Sequence, residues 1–209
     1  MAGYFITFEG GDGSGKSTQA GLLSAWLAEQ GRAVVRAREP GGTDLGLELR
    51  EIILHRRGYI APRAEALLYA ADRAHHVATV VRPALERGDV VVQDRYLDSS
   101  VAYQGAGRVL DPNQVRDLSL WAAEGLLPDL TVLLDLDLVT SRARLASEAG
   151  VYDRLEAELD DFHERVRQAF LLLAEREPHR FLVVDAARPA ADVERIIRSR
   201  VAAQLQIEP

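Results

Sequence analysis

Nine consecutive residues carry the densest chemical signal in the chain: Gly10-Gly11-Asp12-Gly13-Ser14-Gly15-Lys16-Ser17-Thr18, a match to G-x-x-x-x-G-K-[ST]. The glycines let backbone N–H groups turn inward around phosphate oxygens, and a helix starting here would offer its positive N-terminus. Lys16 reaches the outer phosphates, and the Ser17 hydroxyl can ligand Mg2+. ATP with Mg2+ is the ligand this chemistry fits. Lys16 is also the only lysine among 25 basic residues, and Asn113 the only asparagine. An Asn-Lys-x-Asp guanine-reading box therefore cannot exist, which disfavours a switch GTPase, and a partition-type ATPase with a second lysine is excluded by the same count.

A second motif closes a run of valines, Val90-Val91-Val92-Gln93-Asp94-Arg95-Tyr96. A carboxylate at a strand end can orient Mg2+ or its water shell opposite Ser17, with the Arg95 guanidinium beside it for a phosphate. The bland alternative is a strand-terminal Asp-Arg pair on the surface. Other metal chemistry is poorly served: the chain has no cysteine, and His55, His75, His76, His163 and His179 form no ligand spacing. Asp135 and Asp137 read as strand-end solvation.

The elements that must position these motifs follow from periodicity. Strand-like runs recur at Tyr4 to Glu9, Ala33 to Arg38, Asp89 to Gln93, Leu130 to Asp135 and Phe181 to Asp185. They are near-continuously apolar, which suits strands covered on both faces. Between them lie helical stripes: Leu22, Leu23, Trp26 and Leu27; Leu159, Phe162, Val166, Phe170 and Leu173; and Val193, Ile196, Ile197, Val201 and Leu205. The alternation predicts an α/β fold, a three-layer α/β/α sandwich on a five-stranded parallel sheet, with ligands at the carboxyl ends of the strands. The 209 residues suit one domain, with Glu148 to Arg154 the mobile loop of the chain. A net charge of -7 disfavours nucleic acid and anionic lipid as partners. No apolar run exceeds six residues against the roughly 20 that a spanning helix needs, and no cleavable leader follows Met1, so the expected location is the cytoplasm.

Four segments together resemble thymidylate kinase in its bacterial form: Phe8-Glu9-Gly10 leading into the phosphate loop; Arg38-Glu39-Pro40-Gly41-Gly42-Thr43; Leu67-Leu68-Tyr69-Ala70-Ala71-Asp72-Arg73; and the stretch from Asp94-Arg95-Tyr96 to Tyr103-Gln104-Gly105. The resemblance implies a phosphate-loop nucleoside triphosphatase fold and transfer of the ATP γ-phosphoryl to thymidine monophosphate, giving the diphosphate. By position it implies that Arg38 and Arg95 hold the acceptor phosphate and Asp12 meets the sugar 3'-hydroxyl. Tyr69 would stack on thymine and Arg73 bond a base carbonyl, while Ser100, Tyr103 and Gln104 complete the pocket. The turn Asp185-Ala186-Ala187-Arg188 would pack on adenine, and a homodimer would form through helices on one sheet face.

Two residues depart from the family's pattern. Tyr69 stands where phenylalanine is commoner. Gly13 stands where some members carry an arginine, so the transition-state charge must come from elsewhere. Arg142, Arg144 and Arg154 flank the loop that looks like the family's lid, residues 140–155, and Arg142 and Arg154 are ranked first. The expected catalytic set is thus Lys16, Asp94, Arg95, Arg142 and Arg154. Two rivals stand beside this reading: a kinase for another small acceptor such as a deoxynucleoside, which leaves Arg38 and Arg95 unexplained, and a regulatory module that binds ATP without turnover.

Overall fold

In the computed structural model, residues 3–56, 58–147 and 153–208 are described. Five strands among them, Tyr4–Glu9 (β1), Val34–Arg38 (β2), Val90–Asp94 (β3), Leu130–Asp135 (β4) and Phe181–Asp185 (β5), pair in the order β2-β3-β1-β4-β5 with every neighbour parallel. The three inner strands are almost wholly buried, as continuous Val, Leu, Ile and Phe requires. The edge strands depart from that expectation: β2 is half exposed throughout, and Val183 of β5 faces outward, because an edge strand has a neighbour on one side only.

Helices Lys16–Glu29 (α1) and Ala190–Leu205 (α9) cover one face of the sheet. There Ile6 and Phe8 point into a cluster with Leu23, Leu27, Ile197 and Val201. Successive strand residues point to opposite sides, so Phe5 faces the other layer. That layer comprises Asp44–Arg50 (α2), Pro62–His76 (α3), Arg82–Glu86 (α4), Leu97–Ser100 (α5), Pro112–Ala122 (α6), Leu138–Ser147 (α7) and Asp160–Arg176 (α8). Three π-helical turns, Glu51–His55, Val77–Val81 and Val101–Gly107, continue α2, α3 and α5. The α8 stripe begins at Phe162: Leu159 precedes the helix in an extended conformation and is 80% exposed, against the expectation that it lines the core.

The strand order positions the site. From β1 the chain runs to one side of the sheet, to β2 at the edge; from β3 it crosses β1 to reach β4 on the other side. The neighbouring β1 and β3 therefore send their following loops apart, opening a crevice at their carboxyl ends. Phe8 lies in register with Asp94, and Arg95 N donates to the Phe8 carbonyl at 2.9 Å, so both chemical motifs emerge at this one place. Asp135 and Asp137 are held more firmly than solvation alone would do. Asp135 takes a two-pronged bond from Arg167 of α8, at 2.7 and 3.0 Å, and Asp137 caps α7 through Thr140 N and Oγ1.

Candidate active site

The phosphate loop leaves β1 with Gly10 at φ 135°, where an added Cβ would stand 2.4 Å from the Leu134 carbonyl oxygen. Only glycine fits so close an approach to the neighbouring strand. Gly15, left-handed at φ 87°, turns the chain into α1. Lys16 Nζ curls back to donate to the Gly11 carbonyl at 2.7 Å. Burial and then the adjacent Arg95 charge lower its pKa to about 8. Ser17 Oγ donates to Asp94 Oδ2 at 2.5 Å. An alcohol and a carboxylate are hard oxygen donors that fit a small divalent cation beside the phosphate loop. Among the described residues no group of three or more His, Asp or Glu is arranged to hold a metal.

Arg95 is the hub between the two motifs. Its backbone takes the left-handed conformation at φ 66°, uncommon for a residue other than glycine, and the bonds around it hold that strain. Nη1 donates to the Gly10 carbonyl (3.1 Å) and Ser99 Oγ (3.2 Å), and Nη2 to Asp12 Oδ1 and to the Tyr103 hydroxyl (3.2 Å). Tyr103 in turn donates to Asp12 Oδ2 at 3.3 Å. Burial alone would raise the Asp12 pKa; the Arg95 and Lys16 charges outweigh it and hold the carboxylate below its usual value. Beneath them Glu9, fully buried, accepts from Tyr96 N (2.8 Å), Ser99 N (3.2 Å) and Ser99 Oγ (2.5 Å), so the last residue of β1 clamps both sides of Arg95. Burial, then the nearby Asp98, push its carboxyl up to about 8.

A cleft of about 580 Å3 runs from this hub to α3. The phosphate-loop residues Asp12, Gly13, Gly15, Lys16, Ser17 and Thr18 line one end. Arg38, Tyr69, Arg73, Ser100, Tyr103 and Gln104 line the rest. Gln104 Nε2 donates to Glu65 Oε1 at 2.9 Å, and Arg73 donates to Ser100 Oγ at 3.1 Å, so neither is the solvated side chain that its type alone would allow.

A family model described as thymidylate kinase matches residues 8–197. The chain belongs to the thymidylate kinase family. It is 75% identical to the thymidylate kinase of Leifsonia xyli subsp. xyli over 199 residues, 95% of this chain and 94% of that one. It is 53% identical to that of Bifidobacterium longum subsp. infantis over 214 residues, 97% and 91% of the two chains. Among solved structures, the thymidylate kinase from Ehrlichia chaffeensis superposes with a TM-score of 0.78 at 30% identity, covering 96% of this chain and 99% of that one.

Against this kinase family's pattern the Gly13 departure has a local cause. Gly13 sits at φ 71°, with its would-be Cβ 3.1 Å from the Ser141 carbonyl oxygen and 3.6 Å from Arg144 Cβ. The space beside the loop is thus occupied by α7, and an arginine at position 13 would be both strained and crowded. The three arginines expected to supply that charge part company here. Arg144 Nη1 donates to the Gly13 carbonyl (3.3 Å) and Nη2 to the Ala186 carbonyl (2.8 Å), bridging the phosphate loop to the turn after β5. Arg142 pairs with Asp160 (3.0 Å) and with the Glu156 and Glu158 carbonyls; Arg154 pairs with Glu65 (2.5 Å) and the Ile53 carbonyl. Neither lines the cleft, whereas Arg144 does. Arg188 is exposed, 3.7 Å from Asp185, and is likewise outside the cleft lining. Of the loop expected between Glu148 and Arg154, residues 148–152 lie outside the described residues.

Reading the sequence missed Arg50. Thr43 Oγ1 caps α2 by accepting from Gly46 N, and the helix carries Arg50 back to the cleft, where it donates to the Pro40 carbonyl at 3.0 Å across a cis Glu39–Pro40 peptide. Burial and then the Arg38 charge lower its pKa, so two cations that line the cleft are near enough to repel each other. The available signal was the Thr43 cap: a helix starting on the loop that holds Arg38 returns to that loop within two turns.

Proposed function

We propose that the chain transfers the γ-phosphoryl group of ATP to thymidine monophosphate, releasing thymidine diphosphate and ADP, with the residues of the cleft in the following roles. The observation that carries the reading is that Arg38, Arg50 and Arg95 line the same cleft as Lys16: more cations than a donor phosphate chain needs, enough for an acceptor that is itself a phosphate. A nucleoside acceptor would leave the extra cations without a phosphate to meet. Tyr69 offers an aromatic face to a flat base, Arg73 a donor to its 4-carbonyl, and Asp12 an acceptor for the sugar 3'-hydroxyl, with Ser100, Tyr103 and Gln104 enclosing the nucleoside.

The acceptor oxygen needs no general base, because a phosphate monoester loses its second proton near pH 6 and is already anionic at neutral pH. The protein's task is alignment and charge. Lys16 and the loop N–H groups hold the donor phosphates, and Arg38, Arg50 and Arg95 bring the acceptor oxygen in line. Arg144, at Gly13 and in the cleft, stabilises the charge that builds on the transferring group. Ser17 and Asp94 would hold Mg2+, which would supply positive charge against the donor phosphates. Closure of the lid, residues 140–155 of a single domain, would exclude water from the transfer.

We place this activity in the cytoplasm with its nucleotide substrates, and in a homodimer; Leu47 on α2 and Leu67 on the adjoining α3 are exposed apolar side chains that a second copy could cover. Among the described residues no helix is long and apolar enough to cross a membrane. The deciding experiment measures ADP release with Mg2+ and ATP against thymidine, cytidine, guanosine and uridine deoxynucleoside monophosphates and against thymidine itself. Thymidine monophosphate should be the preferred acceptor and thymidine inert. Preferred turnover of thymidine, or ATP binding without transfer to any acceptor, would overturn the assignment.

A further inference from the structure

Arg73 is the largest of the fully buried side chains, 1% exposed, and yet its guanidinium borders the cleft. Three elements seize it from three sides. Nε donates to Glu39 Oε2 (2.9 Å) on the loop after β2, Nη2 to Ser100 Oγ (3.1 Å) at the end of α5, and Nη1 to Ser119 Oγ (3.1 Å) on α6. The ring of Tyr96 lies under the guanidinium carbon, 5.4 Å from centroid to Cζ, and is itself fixed by its hydroxyl's bond to the Leu126 carbonyl (3.1 Å). A guanidinium has five N–H donors in a rigid plane. Three are committed to these acceptors, which leaves one hydrogen on each Nη, and their directions are dictated by the three bonds already made. Glu39 is held against drift in turn, since its other oxygen lies 3.1 Å from His76 Nδ1.

Ser119 differs from the other two anchors. Glu39 and Ser100 line the cleft and stand where they could meet a nucleotide directly, whereas Ser119, 2% exposed on the far side of the guanidinium, is outside the cleft lining. It reaches the site only through Nη1. We infer that Ser119 is a positioning residue for base discrimination: by holding Nη1 it aims the free donors of Arg73 at a carbonyl in the 4-position of a pyrimidine, and so disfavours a base that presents an amino group there. The inference rests on the reading of the cleft as a thymidine monophosphate site and adds to it a determinant on α6, one helix removed from the substrate.

The physical argument concerns rotation. With the Ser119 hydroxyl gone the guanidinium keeps its bonds to Glu39 and Ser100, but as a rigid plane it can tilt as a unit about those two anchors and carries a second uncommitted hydrogen on Nη1, so its donors can reach the ring nitrogen of cytosine as well as the thymine carbonyl. Discrimination should weaken while the catalytic end of the cleft is untouched.

The test is Ser119→Ala, which removes one oxygen from a packed helix and changes little else. Measured with Mg2+ and ATP, the ratio of kcat/KM for thymidine monophosphate over deoxycytidine monophosphate should fall about fivefold to tenfold, the scale of one lost polar contact in a specificity pocket. The change should lie in KM for the pyrimidine acceptor, with kcat and KM for ATP within about twofold. An unchanged ratio overturns the inference. So does a fall accompanied by a parallel rise in KM for ATP, since that is general loosening. Arg73→Ala is measured alongside, with Arg73→Lys in its place should the alanine variant not fold. A ratio that collapses there while Ser119→Ala leaves it intact removes only the role of Ser119; a ratio indifferent to Arg73 removes the reading of the base site itself.

Discussion

Replacing Arg144 by alanine separates the tether that the structure shows from the catalytic role proposed for the same side chain. The guanidinium ties the phosphate loop at Gly13 to the turn after β5 at Ala186 through two bonds to backbone carbonyls. Bonds of that kind contribute about 0.5 to 1.5 kcal/mol each, so the tether is worth at most about 3 kcal/mol and acts on the ground state. An arginine that meets the transferring phosphoryl group is worth roughly 10³ to 10⁵ in rate, about 4 to 7 kcal/mol, and acts only as charge develops. The second figure exceeds the first, and the two fall on different observables. Saturating ATP and thymidine monophosphate in an ADP-release assay report kcat; equilibrium binding of ADP and a thermal midpoint report the tether. Arg144→Ala should lose about a thousandfold or more in kcat, with ADP affinity changed far less. Arg142→Ala and Arg154→Ala, whose side chains pair with Asp160 and Glu65 outside the cleft lining, should lose less than tenfold, about 1.4 kcal/mol. A kcat for Arg144→Ala within about threefold of the parent, or a thousandfold loss in either other variant, refutes the reasoning.

Lys16→Ala should keep the fold and lose at least about a hundredfold in kcat, as expected of a lone cation on the donor phosphates; near-normal turnover of the folded variant would remove the phosphate-loop assignment. Because Lys16 titrates near pH 8 in the free protein, below the usual lysine, kcat/KM for ATP should decline as pH rises through about 8, and a pH-independent profile from pH 7 to 9.5 would contradict this. Glu9 is raised to about 8 from an unfolded value near 4.5, so the folded state holds its proton the more tightly. Its contribution to stability is complete below about pH 4.5 and is lost as pH rises through about 8. The midpoint of Glu9→Gln should therefore gain on the parent between pH 5 and 8.5; a constant gap would sink that argument. Gly13→Arg should destabilise by about 1 to 2 kcal/mol in denaturant titration, from the left-handed backbone and the crowding at Ser141, and should not raise kcat.

How much was legible beforehand depends on the range of the interaction involved. The phosphate loop, the Asp94-Arg95 pair and the five strands are local patterns. Glycine is demanded wherever φ is positive or backbones touch, and a run of valines at the centre of a parallel sheet needs no information beyond itself, so strand ends were foreseen to within a residue. The four segments that carry the family resemblance are also short and contiguous. The edge strands and Leu159 were misjudged for the complementary reason: apolar composition states what a residue tolerates, while exposure depends on whether a neighbour arrives to cover it.

Side-chain direction in the site was the part that sequence could not supply. Three arginines of equal charge, Arg142, Arg144 and Arg154, lie within 13 positions of one another, and spacing alone does not tell which of them lines the cleft. Arg144 touches the phosphate loop because the Asp137 cap and the Ser141 bond to the Asp12 carbonyl set the rotation of α7. Arg154 points away because a buried Glu65, 89 residues distant in the chain, attracts it. Arg50 entered the site the same way, brought by a helix whose sequence contains no chemical motif. Spacing along a chain determines which groups share a turn or a face; which of several like charges meets a given phosphate is decided by long-range partners, since a guanidinium on a long flexible stem goes to whichever buried carboxylate or carbonyl the fold sets within its reach.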